Sequence, residues 1–143
     1  MKTRIITIFI LILFLFAIGS VVNMEADAKG SPVIVLSEKN YKSEVLDEKG
    51  IVLVEFWAPW CGPCRKMAPM LKKYAEDNIG KVKVGKMNAE MYKRFVLKQG
   101  VEMLPTLIVY KDGVETGRAI GALNRDELDE FVYSKTITDP AIQ

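Results

Sequence analysis

The chain has 143 residues, of which half are hydrophobic, and its 20 Lys and Arg residues nearly balance its 18 Asp and Glu residues. This length suits one domain with an N-terminal extension, and without a basic block we expect no nucleic-acid partner. The chain contains no histidine and two cysteines. This excludes Ser-His and Cys-His hydrolases and leaves too few thiolate and imidazole ligands for a zinc site. We therefore expect no metal and no other cofactor.

The first 28 residues have the pattern of an export segment. Lys2 and Arg4 precede an apolar run, 5–18, and Ala26-Asp27-Ala28 has the small-x-small form of a signal-peptidase site. The apolar run also reads on to residue 22, which approaches the ~20 residues of a membrane-spanning helix. A cleaved signal peptide and a membrane anchor formed by residues 5–22 are both open. Either one predicts a folded domain on the outer side of the plasma membrane.

Strand-like and helix-like segments alternate after this leader, which favours an α/β domain. We place the domain at residues 29–135 and expect the tail, 136–143, to be loose. Short apolar runs predict strands at 33–36, 51–57 and 81–88. The second run is nearly continuous in apolar residues, as expected for a central strand that is covered on both faces.

Four helices and a β-hairpin complete the predicted domain. The helices run from Ser37 to about Leu46, from the cysteines to Asn78-Ile79-Gly80, from about Met91 to Gly100, and from Asn124 onwards. Asn124 followed three residues later by Glu127 is typical of a capping pair. Thr106 to Tyr110, the Asp112-Gly113 turn and Val114 to Ile120 predict the hairpin. The methionines are expected to fill the core rather than to bind ligands: Met67, Met70, Met87, Met91 and Met103.

Cys61 and Cys64 are the candidates for chemistry. They follow a buried strand and open a helix, where unpaired backbone N–H groups and partial positive charge stabilise a thiolate. Cysteines in such positions have pKa values lowered to about 3.5–7.5. We expect the sulfur of Cys61 to reach solvent and attack a substrate disulfide, and a shielded Cys64 to resolve the mixed disulfide by attacking Cys61. A purely structural disulfide is the weaker alternative, because so short a loop removes little chain entropy.

Three segments resemble the thioredoxin family. The stretch from Phe56 to Pro69, with Cys61-Gly62-Pro63-Cys64 inside it, resembles the family's active site; Leu104-Pro105-Thr106 resembles its cis-proline loop, and Gly121-Ala122-Leu123 its glycine near the substrate groove. The resemblance covers residues 33–134. It implies the thioredoxin fold, a central five-stranded mixed sheet flanked by four helices, and protein-disulfide reductase activity that leaves a Cys61–Cys64 disulfide. The Gly-Pro dipeptide resembles the reducing members of the superfamily.

The resemblance also implies a substrate-binding surface around the cysteines. Its residues would be Trp60, Gly62, Pro63, Pro105 and Gly121, with Pro105 in the cis conformation.

Glu55 interrupts the apolar central strand where the family has an aspartate that exchanges a proton with the second cysteine. A buried lone carboxylate is costly unless its pKa rises or a partner is present. We expect Glu55 to exchange a proton with Cys64 through water, although glutamate is one methylene longer, and Lys86 to moderate its pKa as the neighbouring cation. The alternatives are a Glu55 that reaches solvent at the strand edge and a solvated surface Lys86.

With the leader, these residues predict an extracytoplasmic thioredoxin-like protein that reduces disulfide-containing proteins. The flavin reductase that recharges thioredoxins inside cells would be absent there, so the expected electron donor is a membrane protein that passes electrons across the bilayer. Two alternatives stay open. One is a disulfide oxidase or isomerase, and the other is a binding module that uses the groove without turnover.

Overall fold

The structure is a computed structural model that describes residues 32–136. The predicted leader, 1–28, and almost all of the predicted tail lie outside the described residues. Within 32–136, no helix is both long enough and apolar enough to span a bilayer.

Five strands form one mixed sheet in the order β1-β3-β2-β4-β5. The strands are β1 (Val33–Leu36), β2 (Ile51–Trp57), β3 (Val82–Asn88), β4 (Thr106–Lys111) and β5 (Val114–Ile120). β1, β3 and β2 are parallel to one another, whereas β4 is antiparallel to β2 and to β5. The predicted strands are therefore confirmed to within one residue at each end. β2, the nearly continuous apolar run, is the central strand.

Four helices are described alongside this sheet. They are α1 (Lys42–Leu46), α2 (Gly62–Asp77), α3 (Lys93–Lys98) and α4 (Arg125–Thr136). The capping pair of α4 is confirmed, because the Asn124 side-chain oxygen accepts the Glu127 N–H at 3.0 Å and the Glu127 carboxylate accepts the Asn124 N–H at 2.8 Å. The predicted architecture of a five-stranded mixed sheet with four helices is confirmed.

The first helix is shorter than predicted. Residues 38–40 form a turn, in which the Asn40 side chain accepts the Ser37 N–H at 2.7 Å and donates to the Val35 carbonyl at 3.1 Å. The Ser37 hydroxyl also accepts the Asn40 N–H at 3.4 Å, and the Ser37 carbonyl accepts the Tyr41 N–H at 3.0 Å, so the predicted capping role of Ser37 is confirmed although regular helix begins only after this turn. α1 itself is π-helical, with the Asp47 N–H bonded to the Lys42 carbonyl at 2.8 Å.

The core has two parts, one on each face of the sheet. On one face Leu53 and Leu107 pack against buried residues of α2 and α4, among them Met67, Leu71 and Leu128. The other part contains alternate residues of the same strands, Val52, Val54, Phe56 and Ile108, with Tyr41, Val45 and Val96 of the α1 and α3 side. Alternation along β2 therefore places Glu55, two residues after Leu53, on the face that α2 covers.

Two methionines contradict the prediction that they fill the core. Met67 and Met87 are buried, but Met91 and Met103 are 70% and 57% exposed. Met91 precedes α3 instead of opening it, and Met103 lies in the loop before β4. Hydrophobicity alone does not indicate which loop side chains face solvent.

Candidate active site

Cys61 and Cys64 form a disulfide at the start of α2, with an S–S distance of 2.05 Å. Cys61 is the N-cap residue, and its sulfur accepts the backbone N–H of Cys64 at 3.3 Å. Pro63 lies in the first turn of the helix, where the missing N–H costs no hydrogen bond. The predicted helix-start position of the pair is confirmed. The Cys64 N–H and the helix dipole can therefore stabilise negative charge on the Cys61 sulfur in the reduced protein.

The exposed fraction of Cys61 is lower than the sequence suggested. Cys61 is 4% exposed and Cys64 is 2% exposed, so the expectation of a solvent-reaching Cys61 sulfur is wrong for this oxidised state. Both cysteines pack with Ala58, and Trp57 and Leu104 lie against them. Space is open beside the pair at Gly62, where an added Cβ would meet no atom within 4 Å. A substrate chain therefore has room to approach from that side.

The cis-proline loop and the Gly121 segment are joined directly. The Leu104–Pro105 peptide bond is cis, as the resemblance implies. The Gly121 N–H donates to the Pro105 carbonyl at 2.8 Å, and the Thr106 hydroxyl donates to the Met103 carbonyl at 2.7 Å. Gly121 has φ +101°, a conformation that favours glycine. Pro105, which is buried, and Gly121, 16 residues apart, are thus held together, and Leu104 connects this loop to the cysteines.

Trp60 stands at the edge of a groove of about 340 Å³ beside this loop. Trp60 is 67% exposed. The groove also contains Leu97, Val101 and Leu104 as apolar lining and Glu90, Lys93 and Glu102 as charged lining. An apolar floor with charged residues around it suits an extended polypeptide segment.

Glu55 is buried in β2, with an exposed fraction of 3%. Its Oε1 atom has no hydrogen-bond partner among the described residues. Burial raises the pKa of Glu55 to about 7, and the positive charge of Lys86 opposes this rise. The alternative of a solvent-exposed Glu55 is wrong. A carboxyl group with a pKa near neutrality can both accept and release a proton.

Lys86 is the residue of β3 paired with Glu55 in the parallel register of β2 and β3. Its ammonium group lies 5.4 Å from the centre of the Trp57 ring, within the range of a cation–π interaction. The predicted neighbour relation between Lys86 and Glu55 is therefore present in the fold.

Comparison with known proteins supports the sequence resemblance. The family model for thioredoxin matches residues 32–134. The chain belongs to the thioredoxin family. The predicted thioredoxin fold is confirmed by this match together with the sheet and helices described above.

Related thioredoxins come from plants and bacteria. The chain is 40% identical over 106 residues to Thioredoxin M5, chloroplastic, of Oryza sativa subsp. japonica, an alignment that covers 71% of this chain and 62% of that protein. It is 38% identical over 100 residues to Thioredoxin of Pseudomonas aeruginosa, covering 70% of this chain and 93% of that protein. The chain is also 38% identical over 95 residues to Thioredoxin 1 of Nostoc sp., an alignment that covers 66% of this chain and 89% of that protein. The chain spans about three fifths of the length of the rice relative.

Two residues of the predicted cis-proline loop in this thioredoxin-family site have roles that the sequence did not assign to them. Leu104 packs against the disulfide, and Thr106 fixes the loop in front of it. Their position beside Pro105 was the available signal. A second cavity, of about 460 Å³ between α2 and α4, contains none of the predicted site residues. Among residues 32–136, no cluster of three His, Cys, Asp or Glu side chains could hold a metal ion.

Proposed function

We propose that this thioredoxin-family chain is a thiol–disulfide oxidoreductase that reduces protein disulfides on the outer side of the plasma membrane. The observation that carries the proposal is the Cys61–Cys64 disulfide at the start of α2, with the Cys64 N–H directed at the Cys61 sulfur. The cis Pro105 loop and the exposed Trp60 lie around this pair. Such a site presents a stabilised thiolate beside a surface that can hold a polypeptide.

The reaction proceeds by two thiol–disulfide exchanges. In the reduced protein the Cys61 thiolate attacks one sulfur of the substrate disulfide, forms a mixed disulfide and releases the other substrate sulfur as a thiolate that takes up a proton. The Cys64 thiolate then attacks Cys61, releases the second substrate thiol and forms the Cys61–Cys64 disulfide. The substrate gains two electrons and two protons, and the protein loses them.

Glu55 is the proton acceptor for Cys64 in the second exchange. Cys64 must lose its proton before it attacks Cys61, since the thiolate is the nucleophile. Glu55 is buried on the face of β2 that α2 covers, and burial raises the pKa of its carboxyl group to about 7. The proton passes through a water molecule, and Lys86 limits how far the pKa of Glu55 rises.

Location and electron supply complete the proposal. The leader, with Lys2 and Arg4 before an apolar run and Ala26-Asp27-Ala28 after it, supports export or anchoring through residues 5–22. The thioredoxin match begins only at residue 32, so the leader is additional to the family domain. The substrates would be disulfide-containing exported or envelope proteins. A membrane protein that carries electrons across the bilayer would reduce the Cys61–Cys64 disulfide after each cycle.

Trapping of the mixed disulfide tests this function. In intact cells expressing the full chain, Cys64→Ser should accumulate covalent adducts that dithiothreitol releases, because the second exchange cannot occur. The matched control is the double variant Cys61→Ser/Cys64→Ser, which should form none. Exported substrates and a membrane protein are expected among the adducts. Absence of any releasable adduct would exclude turnover, and adducts confined to cytoplasmic proteins would contradict the location.

The direction of the reaction is tested by a redox titration of the full chain. Reducing members of the superfamily have reduction potentials of about −270 mV, whereas those of strong oxidases are about −120 mV. We expect a value close to the former, since Gly62-Pro63 separates the cysteines. A potential near that of the oxidases would make the chain an oxidase or isomerase.

A further inference from the structure

We propose that Arg118 is a positioning residue, which holds the loop of residues 99–105 in the conformation that binds polypeptide substrates. This inference rests on the proposed reduction of protein disulfides. The loop joins α3 to β4 and carries Met103, Leu104 and Pro105 to the substrate surface. A loop without regular structure needs contacts outside itself to keep one conformation.

The end of the loop nearest the cysteines is fixed by two hydrogen bonds already described. The Thr106 hydroxyl binds the Met103 carbonyl, and the Gly121 N–H binds the Pro105 carbonyl. These bonds hold the loop to β4 and to the residue that follows β5.

Arg118 fixes the opposite end of the loop. One terminal nitrogen of its guanidinium group donates to the Gly100 carbonyl at 3.1 Å, and the other donates to the Gln99 carbonyl at 3.1 Å. These carbonyls follow directly after the last residue of α3, where helix geometry leaves carbonyl groups without intrahelical donors. The cation also lies favourably at the negative end of the short helix.

Glu115 fixes the guanidinium group in turn. Its two carboxylate oxygens accept bonds from the Nε and Nη2 atoms of Arg118 at 2.8 and 2.9 Å. The planar fork therefore contacts the carboxylate and two backbone carbonyls at once, through all three of its nitrogens. A lysine has a single nitrogen and cannot reproduce this fork.

Arg118 and Gly121 are three residues apart at one end of β5, so this strand holds both ends of the loop. The N–H groups of Gln99 and Gly100 also bond to carbonyls of α3. Loss of Arg118 should therefore loosen these two residues without unfolding them, while the disulfide, Glu55 and α2 stay in place. The defect should therefore appear in the binding of polypeptides and leave the sulfur chemistry unchanged.

Two substrates of different size test the proposal on the full chain. Insulin, reduced with dithiothreitol as the electron source, needs the loop, whereas 5,5′-dithiobis(2-nitrobenzoate), added to the pre-reduced protein, needs little beyond Cys61. For Arg118→Gln we expect KM for insulin to rise about fivefold, since the lost contacts are worth about 1 kcal/mol. The kcat for insulin and the rate with the small disulfide should both stay within about twofold of the wild type. Arg118→Lys should behave like Arg118→Gln, because charge without the fork does not hold the loop.

Two further variants complete the test. Arg125→Gln is the matched control, because Arg125 also bridges two carboxylates, Asp77 and Asp129, but does not contact the loop; both rates should stay unchanged. If Arg118→Gln does not fold, Glu115→Gln, which weakens the bonds between the carboxylate and the guanidinium group, should raise KM for insulin about twofold.

An unchanged KM for insulin, an equal loss with both substrates, or full activity of Arg118→Lys would overturn the proposal. A wild-type chain that reduces neither substrate would instead refute the proposed function.

Discussion

Replacement of Glu55 by Gln should stabilise the oxidised protein at neutral and alkaline pH and have no such effect in acid. Glu55 is buried, and its Oε1 atom has no hydrogen-bond partner among the described residues. Glutamine has nearly the same shape but cannot ionise. The variant therefore removes the cost of placing a carboxylate in the core and keeps the volume of the side chain.

The size of the effect follows from the pKa of Glu55, which burial raises from 4.5 to about 7. Between these two pH values the folded protein keeps a proton that the unfolded chain has released, so the free energy of unfolding falls as the pH rises. At ~1.36 kcal/mol for each pH unit, this interval of about two and a half units amounts to about 3 kcal/mol. Glu55→Gln should therefore gain about 3 kcal/mol over the wild type between pH 4 and pH 8.

Urea unfolding of the full oxidised chains, followed by circular dichroism at pH 4 and at pH 8, measures this difference. An effect of the amide that does not depend on pH is the same at both pH values and therefore drops out of the comparison. The other carboxyl groups are present in both chains, so their contributions to the pH dependence cancel as well. Glu76→Gln, at an exposed position of α2, is the control and should show no pH-dependent gain. If the free energy of unfolding of Glu55→Gln differed from that of the wild type by the same amount at both pH values, the conclusion that burial raises the pKa of Glu55 would be wrong.

The remaining predictions concern the surface and the core. Trp60→Ala should raise KM for insulin severalfold while the free energy of unfolding changes by less than about 1 kcal/mol, because the side chain is 67% exposed; an unchanged KM would remove Trp60 from the substrate surface. Tyr41 and Tyr110 share a buried hydroxyl–hydroxyl bond of 2.8 Å, so Tyr41→Phe should cost about 1–2 kcal/mol by leaving one hydroxyl unpaired. In a urea double-mutant cycle, Tyr41→Phe/Tyr110→Phe should cost less than the sum of the single variants, and additive losses would contradict the coupling.

Local signals were sufficient for the parts of the fold that depend on neighbouring residues. The apolar run of β2, the Asp112-Gly113 turn and the Asn124–Glu127 capping pair each involve residues at most a few positions apart, and the structure confirms all three. The same holds for the cysteines at the start of α2. Ser37 caps the turn that leads into the first helix, as predicted, but residues 38–40 form a turn instead of regular helix, so the start of that helix was placed too early.

The sequence by itself determined the element order, the central strand and the chemistry, because a dithiol at a helix start has few other uses and no histidine offers another. The resemblance named several residues around that dithiol, but only the tertiary structure shows the contacts that bring them together. Insertion of β3 between β1 and β2 brings Lys86 beside Glu55, and the hairpin of β4 and β5 brings Gly121 to Pro105 and Arg118 to the end of α3. These contacts join residues far apart in the chain, and their existence depends on strand order and on which face each side chain occupies. Periodicity gives the spacing within an element, but packing between elements decides what each side chain touches.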